Sequence, residues 1–241
     1  MSTTVTQLPW RRLSVGPALL FVGALLLFVL CDLDRRVADA LYNSSTGFPF
    51  QRSDSYEFWA HWLPRKLAAF TFFALVLTLL IPRAGKTWRD WYLPLWLGVF
   101  AMLTATSLIG HLKASTGIYC PLQHAQYGGS VHEDYVGPLP LRIDEGGRCW
   151  PAGHATNGLA FIALYFSFLM AGRQRLARFS LATALIAGQA LGLSQVVRGQ
   201  HFLSHQLWST AICWFVPLLL FWLYDRLRSW REQRNRLRFN R

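Results

Sequence analysis

Residues 14–31 read SVGPALLFVGALLLFVLC, eighteen positions without a charged side chain. About 20 such residues in a helix are what it takes to cross the hydrocarbon core of a bilayer. Arg11 and Arg12 precede the run as they would in a secretory signal peptide. The residues that close it, Cys31-Asp32-Leu33-Asp34, make a poor small-residue cleavage site, so the run is read as a retained first span. Five more apolar blocks follow, near 66–82, 93–110, 155–171, 180–197 and 206–224. A buried core helix of a soluble protein explains one such block but not six in succession. Only 15% of residues are charged, against about 25% in soluble domains. Ser180, Gln189 and Ser209 fall inside blocks, which is tolerable where a helix faces its neighbours rather than lipid. The expected fold is all-α: a six-helix integral membrane bundle forming a single polytopic domain over residues 1–241.

The net charge of +12 invites a nucleic-acid reading, so its placement matters. With a cytoplasmic N-terminus and alternating spans, the inside segments hold Arg11 and Arg12; Arg83, Lys86 and Arg89; Arg173, Arg175 and Arg178; and seven Arg in the tail 225–241. These are fifteen of the 24 basic residues, against only Asp90, Asp225 and Glu232 on that side. The outer segments balance nine bases with nine acids, so the whole excess sits inside, as the positive-inside rule requires. The Arg-rich tail is therefore a topology signal that meets anionic lipids, and a nucleic-acid partner is excluded. Trp10, Trp88, Trp91, Trp208, Trp222 and Trp230 lie near span ends, where amphipathic rings favour the interface. The expected location is a bacterial inner membrane, with both termini cytoplasmic.

Two outer segments are long. The first, 34–65, mixes charge with aromatics and suits one or two short helices lying along the membrane surface. The second, 112–153, is rich in Gly, Pro and His, has no helical period and holds Cys120 and Cys149. In an oxidising periplasm these two are expected to pair, closing a loop of roughly 30 residues at a gain of about 3–4 kcal/mol. Cys31 and Cys213 fall at or within spans and read as apolar packing residues.

Polar residues cluster at three outer span ends. Lys113-Ala-Ser-Thr-Gly-Ile-Tyr-Cys120-Pro121 follows the third span. Arg148-Cys149-Trp150-Pro151-Ala152-Gly153-His154 precedes the fourth. Ser194-Gln195-Val-Val-Arg198-Gly199-Gln200-His201-Phe-Leu-Ser204-His205 closes the fifth. Their shared depth points to one site at the outer face.

This set resembles the type 2 phosphatidic-acid phosphatase family of membrane phosphatases. That family's pattern is Lys-x6-Arg-Pro, Pro-Ser-Gly-His and Ser-Arg-x5-His-x3-Asp. Here the matching residues are Lys113-x6-Cys120-Pro121, Pro151-Ala152-Gly153-His154 and Ser194-Gln195-x5-His201-x3-His205, at the family's spacing throughout. The resemblance covers roughly residues 60–225. It implies that His201 attacks phosphorus to form a phosphohistidine, while His154 protonates the leaving oxygen and later activates water. Lys113 supplies a point charge, and Gly153 with its neighbouring amides at the start of the fourth helix cradles the anion. The scheme needs no metal and no cofactor.

Four motif positions depart from the family: Cys120 and Gln195 stand where it has Arg, Ala152 where it has Ser, and His205 where it has Asp. Two guanidiniums that would grip phosphate bidentately are thus absent from their places. Arg198, three residues from Gln195, and Arg148 are the candidates to restore them. His205 is expected to hydrogen-bond and orient His201, though a neutral imidazole steadies a developing imidazolium less than a carboxylate does. Glu133, Asp134, Asp144 and Glu145 are the acids within reach in sequence. His124 and His132 read as solvated loop residues.

The expected function is hydrolysis of a membrane lipid phosphate or pyrophosphate at the periplasmic face, an undecaprenyl pyrophosphate being favoured. Lipid A or phospholipid phosphates, or phosphoryl transfer to another lipid, belong to the same class. Two other classes stand beside it. One is a metal site built on His201 and His205 with His154, His124 or His132; the other is a non-catalytic protein that binds lipid phosphate.

Overall fold

The computed structural model describes residues 8–81, 85–135, 137–139 and 146–239, with the backbone alone at 86, 87, 89, 236, 238 and 239. Helix α1 (Trp10–Cys31) ends on Asp32, whose left-handed backbone turns the chain into α2 (Leu33–Leu41). Helix α3 (Asp54–Glu57) starts under a cap in which the Tyr56 amide donates to Ser53 Oγ at 3.3 Å. It runs through a π-helical turn, Phe58–Trp62, into α4 (Leu63–Leu80). Then come α5 (Lys86–Ser115), α6 (Thr156–Leu159), α7 (Ile162–Met170), α8 (Gln174–Val197) and α9 (Leu203–Phe239). Among the described residues β pairing is confined to three isolated bridges.

The protein is an all-helical membrane bundle, and burial shows why. On α1 and α4 the apolar side chains Leu19, Leu20, Leu30, Phe70 and Phe73 point outward. Water does not tolerate apolar surface on that scale, whereas acyl chains solvate it. Five helices are long and apolar enough to cross a membrane; the sixth apolar segment, Thr156–Met170, is shorter. That short segment is the centre of the bundle. Helix α7 packs on α5, α8 and α9, and Ile162, Ala163 and Phe166 are fully buried. It is apolar nearly all round because most of its faces meet protein, while Leu164 and Phe168 border an open apolar groove.

Small residues set the helix spacing. A Cβ on Gly188 would lie 2.5 Å from Leu159 Cγ and one on Gly158 2.3 Å from the Gly188 nitrogen, so α6 and α8 touch backbone to backbone. Polar side chains lock α8 to α9: Gln189 Nε2 donates to Thr210 Oγ1 at 2.9 Å, and Gln206 Nε2 donates to the Gln189 carbonyl at 3.0 Å. Helix α1 is tied to α9 by Trp214 Nε1, which donates to the Leu13 carbonyl, and by Trp10 Nε1, which donates to Asp225 Oδ2, both at 2.9 Å.

The helices outrun the apolar blocks. Helix α5 extends to Ser115, so Lys113 lies in its last turn rather than in the loop beyond. The expected Arg-rich tail continues α9 as helix to Phe239. The segment 34–65 does carry short helices, but α2 is not a free surface helix. It packs against α1 and α9 with Asp34 and Ala38 buried.

Candidate active site

The three polar clusters converge where α5 and α8 end and α9 begins. Two hydrogen bonds, Gly147 N–H to the Gly117 carbonyl and Cys149 N–H to the Ile118 carbonyl, both 2.8 Å, align the segment after α5 with the one before α6. The Cys120–Cys149 disulfide closes the same seam, as expected from the sequence. Leu122 N–H donates to the Gly199 carbonyl at 3.0 Å, joining the first cluster to the third. Ala152 is bracketed by α9: its amide donates to the His205 carbonyl, and its carbonyl accepts from Ser209 Oγ. Gly199 makes the turn from α8 to α9 at φ 69°, and a Cβ there would strike the Phe48 ring at 2.3 Å.

His154, His201 and His205 are all buried, with Lys113 half-buried among them. Lys113 sits against Gly153: a Cβ there would be 3.6 Å from Lys113 Cδ. Lys113 makes no ion pair among the described residues, and its charge acts on both His201 and His205. The His201 and His205 rings meet edge-on with centroids 5.7 Å apart. Burial first, then Lys113, holds His201 far below the usual imidazole pKa, so it is unprotonated at neutral pH. Its Nδ1 lies 3.3 Å from Cys149 Sγ, a packing contact because a disulfide sulfur has no proton to give.

His154 is held in one tautomer. Its Nε2 is 2.9 Å from the Ala60 carbonyl, which can only accept, so the proton is on Nε2. Asn157 Nδ2 reaches the remaining nitrogen, Nδ1, at 3.2 Å. Pro64 explains why Ala60 is available: in a regular helix the 60 carbonyl would accept from the amide of residue 64, and proline has none. His61 stacks on the His154 ring at 4.6 Å. Burial pushes the His154 pKa down to about 4, opposed by the Ala60 hydrogen bond and reinforced by His61 and Arg65.

Several expectations need correction. Gly153 does not open the helix; the first helical residue is Thr156, and the Thr156 and Asn157 amides are spent on the Gly153 and His154 carbonyls. The amides of Gly153, His154 and Ala155, one turn earlier, make no backbone hydrogen bond among the described residues. His205 does not hydrogen-bond to His201, and its Nδ1 is buried without a partner. Gln195 is buried too, but its Nε2 donates to Ser194 Oγ. Arg148 is exposed and makes no hydrogen bond or ion pair among the described residues. Glu133 and Asp134 are exposed, beside a separate small cavity lined by Tyr119 and His124. Asp144 and Glu145 lie outside the described residues.

Arg198 does come inward. It is 4% exposed, and its Nη2 donates to Glu57 Oε2 at 3.0 Å while Nε has no partner. Sequence reading missed Glu57, and it missed the buried acid of the region. Asp34 Oδ1 accepts from the Ser204 amide at 2.8 Å, in the first turn of α9, and Oδ2 accepts from Tyr135 Oη. Asp34 thus pins the start of the helix that follows His201. Burial raises its pKa above the ordinary carboxylate value, with the Ser204 and Tyr135 hydrogen bonds opposing.

The family model described as the PAP2 superfamily matches residues 94–229, more than half of the chain. The protein belongs to this superfamily, whose members are generally phosphatases acting on phosphate esters, often those of lipids. No curated protein and no solved structure matches the chain significantly.

Proposed function

We propose that this protein is a membrane lipid phosphatase that hydrolyses a lipid phosphate or pyrophosphate through a phosphohistidine on His201, an undecaprenyl pyrophosphate being the favoured substrate. The observation that carries the lipid reading is a groove of about 670 Å³ running down the outside of the bundle from the site. Asn157, the hydrogen-bond partner of His154, lies at one end, with Leu191 of α8 beside it; Leu176 and Phe179 lie at the other. From residue 191 to 176 along α8 is roughly 22 Å at 1.5 Å per residue, the length of a long apolar chain. Its walls are almost entirely apolar, so the tail stays in a lipid-like medium while the headgroup reaches the histidines.

The chemistry follows from the residues present. His201, unprotonated, attacks phosphorus through Nε2, and the bond to the leaving oxygen breaks. Lys113, the unpaired amides of residues 153–155 and the Arg198 guanidinium hold the phosphoryl oxygens. His154 gives a proton to the leaving oxygen. For this it must exchange the Ala60 carbonyl for substrate and gain a proton, which a phosphate dianion nearby favours by raising its pKa. Water activated by His154 then cleaves the phosphohistidine and releases phosphate.

The site is placed on the periplasmic face of an inner membrane. In support, Asp225, paired with Trp10 near the Arg-rich end, lies 20 residues beyond His205 along α9. That is about 30 Å of helix, one hydrocarbon thickness.

Purified protein in detergent is assayed for phosphate release from undecaprenyl pyrophosphate, lipid A and phosphatidate. Wild type is expected to release phosphate and to yield a labelled His201, with His201→Ala below about 1% of wild type. Activity undiminished in that variant, or lipid binding without any turnover, rejects the proposal.

A further inference from the structure

The Cys149 sulfur, a His201 nitrogen and a His205 nitrogen lie within 4.8 Å of one another. Cys149 is fully buried, and His201 and His205 are nearly so. Cys120 is bonded to Cys149, so its sulfur is one bond away from this cluster and is the nearest candidate for a fourth donor. Around tetrahedral zinc, with Zn–S near 2.3 Å and Zn–N near 2.0–2.1 Å, ligand atoms stand about 3.5 Å apart. The His201 Nδ1 to Cys149 Sγ separation is already 3.3 Å. His205 contributes a second, independent sign: a buried Nδ1 with no hydrogen-bond partner, on a ring next to that of His201. Buried polar atoms of this kind are rare and call for a partner.

We propose that reduction of the Cys120–Cys149 disulfide converts this corner into a Cys2His2 zinc site that silences the nucleophile. A dithiol reductant supplies the two electrons and two protons that turn the disulfide into two thiols, and is itself oxidised to a disulfide. Zinc then binds as the two thiols release their protons. The two thiolates cancel the ion's charge, which removes the opposition that Lys113 offers to a bare cation. Ligation through His201 Nδ1 leaves the ring proton on Nε2, so Nε2 has no lone pair with which to attack phosphorus. In the oxidised protein the sulfurs are spent on each other, and the two histidines alone do not make the site.

The consequence for activity rests on the assignment of His201 as nucleophile; the metal site does not. The purified protein, oxidised or treated with a dithiol that is then removed, is titrated with cobalt(II) and zinc. The reduced form is expected to bind one cobalt per chain with the visible bands of a tetrahedral ion and thiolate charge transfer, displaced by zinc. The oxidised form is expected to show no such spectrum. Cys149→Ser and His205→Gln should each weaken binding at least tenfold, with thermal unfolding in metal-free buffer reporting whether each variant folds. Because His205→Gln keeps the disulfide, it tests the site even if Cys149→Ser does not fold. Equal binding by both redox forms, no binding by the reduced form, or unchanged affinity in folded His205→Gln overturns the site. Zinc is expected to abolish phosphate release in the reduced form alone; binding without inhibition overturns the silencing. If the protein hydrolyses no lipid phosphate at all, the function proposed above fails while the cobalt spectrum still decides the metal site.

Discussion

Arg198 Nη2 donates to Glu57 Oε2 at 3.0 Å, joining a buried guanidinium at the end of α8 to a half-exposed carboxylate on α3. The superfamily motif places no arginine at this position, yet the Arg198 charge reaches His154, where it adds to those of His61 and Arg65 in lowering the imidazole pKa. On the proposed mechanism an incoming phosphate would compete with Glu57 for the same donors.

Removing the competitor should tighten substrate binding. Glu57→Gln is expected to lower KM several-fold with little change in kcat. Arg198→Ala is expected to cut kcat/KM by about 10–100-fold, the worth of a charge-assisted hydrogen bond of 1.5–3 kcal/mol. Steady-state kinetics of the two variants checks both, and an Arg198→Ala enzyme at wild-type efficiency removes Arg198 from phosphate binding.

Stability should fall in mild acid. The His154 pKa is about 4 in the folded protein against about 6.5 unfolded, so between these values the unfolded chain binds the extra proton. The stabilisation from keeping this ring neutral is fully present above pH 6.5 and lost as pH falls towards 4. His201, also lowered, acts in the same direction. Thermal unfolding in detergent across that window should show a shallower pH dependence in His154→Gln than in wild type.

Filling the groove separates lipid recognition from chemistry. Thr183 is exposed and lines the middle of the groove, away from the histidines. Thr183→Trp is expected to lower kcat/KM for a long-chain lipid phosphate about tenfold, leaving hydrolysis of a short soluble phosphate ester unchanged. Equal losses on both substrates would remove the groove from substrate binding.

The α6–α8 contact has no room for a larger residue. Gly188→Val places a branched side chain into the Leu159 backbone and side chain, and should destabilise by about 1–3 kcal/mol. Lower thermal stability in detergent, with substrate KM unchanged in the protein that remains folded, is the expected pattern.

Asp34→Ala strips the acceptor from the Ser204 amide and the Tyr135 hydroxyl, each unpaired buried group costing about 1–3 kcal/mol. Asp34→Asn retains one acceptor and is expected to recover most of the stability and kcat, which marks Asp34 as a positioning residue rather than a reacting one.

Sequence alone determined the bundle, its apolar blocks and the register of three motifs, because hydropathy and motif spacing are properties of contiguous chain. The Cys120–Cys149 pair was legible because the expected topology put both cysteines in one segment of an oxidising compartment, while Cys31 and Cys213 fell at or within spans. Tertiary structure alone decided what completes the site. Glu57 and Arg198 are 141 residues apart, Asp34 and Ser204 170, and Ala60 and His154 94. No local pattern marks one acid in a mixed-charge segment as the partner of a distant arginine. Only the packing of α2, α3 and the π-helical turn against the ends of α8 and α9 selects it. Pro64 is the exception that shows the limit. Its missing amide can be read from the sequence, but that His154 takes the freed carbonyl depends on two helices meeting at that level.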